Sequence, residues 1–291
     1  MSEIVEVIVP ELPREARPVG EPPADDTFKL HRRFDRAARL FGEPGMARLW
    51  RAHVVVFGLG GVGSYAAEGL VRSGVGRLTL VDFDSVCATN TNRQLHAMKG
   101  TIGKPKSELM AERCRLISPE ARVDAVAQFY DASTSAGLLP EDDPPDFVVD
   151  AIDNVKAKLH LISTCVGRHL PIVSSMGAAG RLDPTMVRLA ELCETFNDPF
   201  AKDIRKLLRL KYGLDTSKPC GVRVVYSPER RLNPQPLSYD HGTGFLCVCP
   251  GKENDFHTCD HRTRIDGTAG FVTSVFGMAA VSEVVRRLIS P

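Results

Sequence analysis

The stretch His53-Val54-Val55-Val56-Phe57-Gly58-Leu59-Gly60-Gly61-Val62-Gly63 decides the fold. A short apolar run closed by glycines reads as a parallel strand buried on both faces. Helical periodicity takes over from Val62 to Arg72, so the glycines stand between a strand and a helix. In that setting glycine allows a tight turn, close approach of the backbone to a phosphate and close helix–strand packing, while the helix N-terminus faces the anion. A second apolar run, Leu78 to Val81, ends at Asp82, about where an acid hydrogen-bonds a ribose hydroxyl. The turn therefore reads as a nucleotide site.

Outward from this turn, strands and helices alternate. Ser107 to Ile117 reads as a helix, Arg122 to Val126 and Phe147 to Ile152 as strands, Lys156 to His169 as a helix, and Ile172 to Ser175 as a strand. Such alternation implies a Rossmann-like α/β fold, with a mostly parallel sheet and helices on both faces. After Gly180 the pattern changes. Met186 to Leu192 and Gly221 to Tyr226 read as antiparallel strands extending the sheet, with a basic helix, Phe200 to Tyr212, between them. Gly270 to Ile289 reads as a closing helix, and residues 227–266 resist assignment. Upstream, Leu30 to Phe41 reads as a basic helix. Residues 1–27 interleave prolines with charges and read as a tail that cannot bury enough surface to order itself. The expected organisation is one domain, 28–291, with a core over roughly 50–180 and an extension over roughly 181–291.

Composition excludes several classes. The net charge of +1 sets up no global field for nucleic acid, so any basic surface has to be local. Eight cysteines in 291 residues make no small disulfide scaffold, and Met1 to Pro10 lacks a basic segment followed by an apolar one. A reducing, cytoplasmic setting is the expectation. Gly267 to Ser282 falls short of the roughly 20 residues of a membrane span and reads as a buried helix.

A dehydrogenase needs only the glycine turn and a hydride acceptor. Adenylation by ATP also requires cations for the triphosphate and a carboxylate for Mg²⁺. The chain offers Asp82-Phe-Asp84, then Asn90-Thr-Asn92-Arg93-Gln94, Gly103-Lys-Pro-Lys106 and Asp150-Ala-Ile-Asp153-Asn154, in that order. This ordered set resembles the ubiquitin-activating-enzyme-like adenylating superfamily and covers about 125 residues. The resemblance implies that Gly58, Gly60, Gly61 and Gly63 cradle the phosphates of ATP, with Asp82 on the ribose and Asp84 and Gln94 beside them. It implies Asn90, Arg93 and Lys106 on the triphosphate and Asp153 on Mg²⁺, with Asp150 as the other candidate ligand. Arg36, in Arg33-Phe34-Asp35-Arg36, matches an arginine that reaches the γ-phosphate across a dimer interface, so a homodimer is implied.

Within the superfamily, Arg33 to Gly42, Asp84 to Gln94 with its doubled Thr-Asn, Gly177-Ala-Ala-Gly180 and Asp183-Pro-Thr185 are similar to the branch acting on threonylcarbamoyladenosine in tRNA. That branch activates a threonyl carboxylate as an acyl-adenylate, and loss of water closes a ring. The alternative is adenylation of the C-terminus of a ubiquitin-like sulfur carrier; the resemblance also admits a sulfur-relay protein as partner. Lys202, Arg205, Lys206, Arg209 and Lys211, with Lys218, Arg223, Arg230 and Arg231 following, supply the local basic surface that tRNA requires. Cys247, Cys249, His257, Cys259 and His261 have ligand chemistry for Zn²⁺, but no Cys-x-x-Cys pair occurs, and reduced thiols on a substrate loop are the preferred reading. Cys87, Cys114, Cys165 and Cys193 read as packing residues.

Overall fold

The computed structural model describes residues 29–237 and 265–290. The tail read over residues 1–27 and the 247–261 Cys/His cluster lie outside the described residues. The elements are α1 (Asp35–Arg51), β1 (His53–Phe57), α2 (Gly63–Arg72), β2 (Arg77–Val81), α3 (Lys106–Ile117), β3 (Arg122–Val126), α4 (Ser135–Leu138), β4 (Phe147–Asp150), α5 (Val155–Gly167), β5 (Ile172–Ser175), β6 (Arg188–Glu191), α6 (Pro199–Tyr212), β7 (Val222–Tyr226) and α7 (Gly270–Ile289).

The seven strands among the described residues join one sheet in the order β3-β2-β1-β4-β5-β7-β6. Every pairing is parallel except that of β6 with β7. β1 shows why its apolar run does not alternate. Val54 and Val56 enter a core with Leu78, Leu80 and the helices α2 and α7. Val55 and Phe57 enter a second core with Val148, Ile172 and the helices α5 and α6. With both faces covered, each side chain of the strand is buried.

The order reverses between β1 and β4, and a parallel sheet leaves a crevice beyond the strand ends at such a point. Two glycines shape it. Gly58 has φ +83°, and a Cβ there would stand 2.8 Å from the Ala151 carbonyl oxygen. A Cβ on Gly63 would stand 1.7 Å from the Gly58 carbonyl oxygen, so no other residue fits where α2 leaves the turn. α7 closes over the same helix: Gly277 meets the Val62 carbonyl, and Gly69 meets Val281. This long apolar helix is buried packing, as the sequence indicated, and no helix among the described residues is long and apolar enough to cross a membrane.

The start of the chain differs from expectation. A 3₁₀ turn, Arg32–Phe34, precedes α1, and α1 continues past Phe41 to Arg51. The helix read over Leu30 to Phe41 does not end there: the chain only kinks at Gly42, where φ is +73°, because the second half buries Met46 and Leu49.

Under the crevice lies a fully buried charge pair. Lys158 Nζ of α5 donates to Asp150 Oδ2 at 2.7 Å, to Ser174 Oγ at 3.1 Å and to the Ser175 carbonyl at 3.0 Å. Asp150 Oδ2 also accepts from Ser174 Oγ at 2.6 Å, and its Oδ1 accepts from the Ile152 amide at 3.0 Å. The knot joins the ends of β4 and β5 to α5. Removing one member strands a buried charge, so Lys158→Met should lower stability by about 3–5 kcal/mol in chemical denaturation. Adding Asp150→Asn should recover part of that loss; no recovery would mean that packing, and not charge, carries the effect.

Candidate active site

A cleft of about 510 Å³ occupies the crevice. Gly58, Gly60, Gly61, Asp82, Asp84, Asn90, Arg93, Gln94, Lys106 and Asp153 all line it, although they come from five separate stretches of chain. Asp82 is 7% exposed and ties two stretches together: its Oδ2 accepts from the Leu59 amide at 2.6 Å and its Oδ1 from the Asp84 amide at 2.8 Å. Burial pushes its carboxyl above the ordinary range, and the nearby Lys106 ammonium opposes that push. Lys106 opens α3, where residues 103–106 pair with 84–86 through Val86 and Gly103; its Nζ meets Asp84 Oδ2 at 2.8 Å. Burial alone would depress this lysine, but Asp82 and Asp84, then more weakly Asp153, raise it above its usual value. It is a fixed cation.

Asn90 organises the next stretch. Its Oδ1 accepts from the Cys87 amide at 3.0 Å, and its carbonyl accepts from the amides of Arg93 and Gln94 at 3.0 Å each. Arg93 donates through Nη1 to the Thr89 carbonyl and to Asn92 Oδ1, both at 2.8 Å, with its stem against Gly61. Asp153 is exposed at the rim, and Asn154 behind it caps α5 by accepting from the Ala157 amide at 3.1 Å.

Several expected assignments change with these positions. Asp150 is no alternative metal ligand, because both oxygens are engaged in the buried knot. Gly63 does not line the cleft; its role is the close contact with Gly58. Arg36 is exposed on α1 and does not line the cleft of its own chain. On α6, Lys202, Lys206, Arg209 and Lys211 are exposed, whereas Arg205 turns back and donates to the carbonyls of Leu192 at 3.3 Å and Thr195 at 2.8 Å. Arg223 likewise pairs with Glu283 at 3.1 Å. Both arginines belong to the fold.

Residues 34–291 match the ThiF family. The chain belongs to this family. Among its relatives, the tRNA threonylcarbamoyladenosine dehydratase of Escherichia coli (strain K12) is 39% identical over 265 residues, or 89% of this chain and 94% of the relative. The Bacillus subtilis (strain 168) protein of the same name is 45% identical over 200 residues, covering 69% and 76%. The crystal structure of the E. coli dehydratase in complex with ATP superposes with a TM-score of 0.74 at 36% identity, covering 88% of this chain and 93% of that one.

In this ThiF-family chain the cleft also has walls that motif reading passed over. Phe83 and Phe129 meet edge to face at 5.0 Å beside Asp82, and Arg181, Asp198 and Phe200 form the wall beyond β5. Asp198-Pro199 carries the acid-then-proline signal of a helix start, but nothing in the sequence ties it, Phe83, Phe129 or Arg181 to the nucleotide turn. Three thiols are chemically quiet: burial pushes Cys114 and Cys220 up to about 12 and also raises Cys165, so none supplies a thiolate near neutral pH.

His96 lies behind Gln94, with Nε2 at 3.1 Å from Gln94 Oε1, and is 2% exposed. Burial first, then Lys106 and Arg113, lowers its pKa to about 4; burial and Arg77 do the same for His53. Both imidazoles are neutral in the fold and gain protons on unfolding below about 6.5, so stability is lost as pH falls from that value towards 4. His96→Gln should flatten this part of the pH–stability curve. An unchanged slope in denaturation midpoints across that window would contradict the assignment.

Proposed function

We propose that this chain adenylates the threonyl carboxylate of threonylcarbamoyladenosine in tRNA and then closes the ring with loss of water. The observation that carries the reading is the meeting of Arg93, Lys106 and Asp153 over the Gly58–Gly61 turn in a single cleft. The match to the E. coli dehydratase along 89% of this chain supports it over the sulfur-carrier reading. The molybdopterin-synthase adenylyltransferase of E. coli matches only 50% of the chain, at 36% identity.

The residues fit ATP. The backbone at Gly58, Gly60 and Gly61 is open to phosphate, and Lys106 and Arg93 stand beside it. They also fit a divalent cation. The aspartates lining the cleft, Asp82, Asp84, Asp153, Asp198 and Asp266, outnumber Arg93, Lys106, Arg181 and Arg231, so protein charge alone does not neutralise a triphosphate. Asp153, exposed at the rim, would hold Mg²⁺ together with phosphate oxygens, and the ion would supply the missing positive charge. Asp82 has lone pairs left for a ribose hydroxyl after accepting its two amides.

A carboxylate has a poor leaving group. Its oxygen attacks the α-phosphate, pyrophosphate departs, and Arg93 and Lys106 stabilise the charge that develops on it. The acyl-adenylate then has AMP as leaving group, and the neighbouring ureido group attacks within the same molecule; proximity makes a protein nucleophile unnecessary. Lys202, Lys206, Arg209 and Lys211 form the phosphate-backbone surface for tRNA, on the outer face of a helix that buries Ala201, Ile204 and Leu208. Arg36 completes the site of a second copy in a homodimer, which accounts for its distance from its own cleft.

The test is ATP–pyrophosphate exchange, comparing tRNA that carries the modified adenosine with a sulfur-carrier protein. Exchange stimulated by the tRNA is expected; stimulation by the carrier alone would replace this reading with the alternative. Asp153→Ala should abolish exchange without loss of fold, because the side chain is exposed; normal exchange would remove the metal assignment. Reversing the charges at Lys202, Lys206, Arg209 and Lys211 should raise KM for tRNA with little change in kcat and should weaken the salt dependence.

A further inference from the structure

Gln94 reaches the cleft with one end of its carboxamide already engaged. The residue is 7% exposed, and its Oε1 lies 3.1 Å from His96 Nε2. Its Nε2 has no hydrogen-bond partner among the described residues. That nitrogen faces the nucleotide turn: a Cβ on Gly60 would have it as its nearest neighbour, at 3.9 Å. A buried donor without an acceptor is costly, and the space it faces is where the turn would seat a phosphate.

A carboxamide can turn over and exchange its oxygen with its nitrogen, so its direction is set by its partners. The partner here is His96, 2% exposed behind it and tethered by Thr101, whose Oγ1 donates to the His96 carbonyl at 2.6 Å. Burial, with Lys106 and Arg113, keeps the imidazole neutral, so it carries one N–H. Nδ1 is buried and has no partner. A sealed N–H without an acceptor is rarer than a sealed lone pair, which places the hydrogen on Nε2. Nε2 then donates, Gln94 accepts with its oxygen, and the NH₂ group is left towards Gly60. The reversed amide would set its oxygen against phosphate oxygens. We infer that His96 is a positioning residue that locks the Gln94 carboxamide as a hydrogen-bond donor to a phosphate of ATP, a role that rests on the ATP-dependent function proposed above.

The experiment is a double-substitution cycle on the full chain, read by calorimetry as the Kd for ATP with Mg²⁺. Gln94→Ala should weaken binding about 10–30-fold, as expected for loss of a hydrogen bond to a charged acceptor. His96→Leu leaves the amide free to turn and should weaken binding about five- to tenfold. Made on top of Gln94→Ala, it should add less than about twofold, because nothing remains for it to orient. His96→Gln, which can place an amide N–H where Nε2 stood, should bind within about threefold of the parent protein. Should His96→Leu fail to fold, His96→Asn, too short to reach Gln94, takes its place in the cycle. Equal losses from the His96 substitution in both backgrounds would make the imidazole a packing residue and overturn the assignment. Parent-like binding by His96→Leu, or a loss in His96→Gln as large as in His96→Leu, would overturn it too. Absence of ATP binding by the unsubstituted protein would instead overturn the function on which this role rests.

Discussion

The carboxylate of Asp82 holds the nucleotide end of the cleft together. It accepts one amide from the glycine turn and another from the strand-end segment that presents Asp84, and through Asp84 it fixes Lys106. Sealing a carboxylate at 7% exposure has a cost, visible in its raised pKa, which two amide bonds and the Lys106 charge partly offset. Turn, acid and lysine therefore move as one unit. Loss of Asp82 would release the turn from the segment that positions the cation.

The floor of the cleft follows the same logic with no access to water. Lys158, Asp150 and Ser174 join the ends of β4 and β5, and Asp150 also holds the Ile152 amide, which fixes the loop leading to Asp153. Buried pairs of this kind add little net stability over an apolar core of the same shape, but they admit few arrangements of their partners. The gain here is geometric: Ala151 stays against Gly58, and the rim carboxylate keeps its place above them.

Much of this was legible in the sequence. β3, β5 and α7 have the limits that their periodicity indicated, and the motif residues other than Gly63, from Gly58 to Asp153, line one cleft. These features rest on local patterns, which short segments encode fully. What escaped depends on partners distant in sequence. Continuation of α1 beyond Gly42 follows from burial of Met46 and Leu49, which overrides the glycine and proline. Arg205 looks like its basic neighbours until the 192–195 turn folds against it, and Asp150 resembles Asp153 until Lys158 of α5 reaches it. The Arg181–Asp198 ion pair has no motif at all, because the two side chains meet only when the segment after β5 and the start of α6 are in place.

α7 touches the nucleotide turn itself, since a Cβ at Gly61 would stand only 3.1 Å from Thr273 Oγ1, and its Gly277 lies against the Val62 carbonyl. These contacts join segments roughly two hundred residues apart, so the cavity is finished by the element that is translated last among those described. On the ribosome, a nascent chain that has completed β1 to β5 still lacks the lid over its glycine helix.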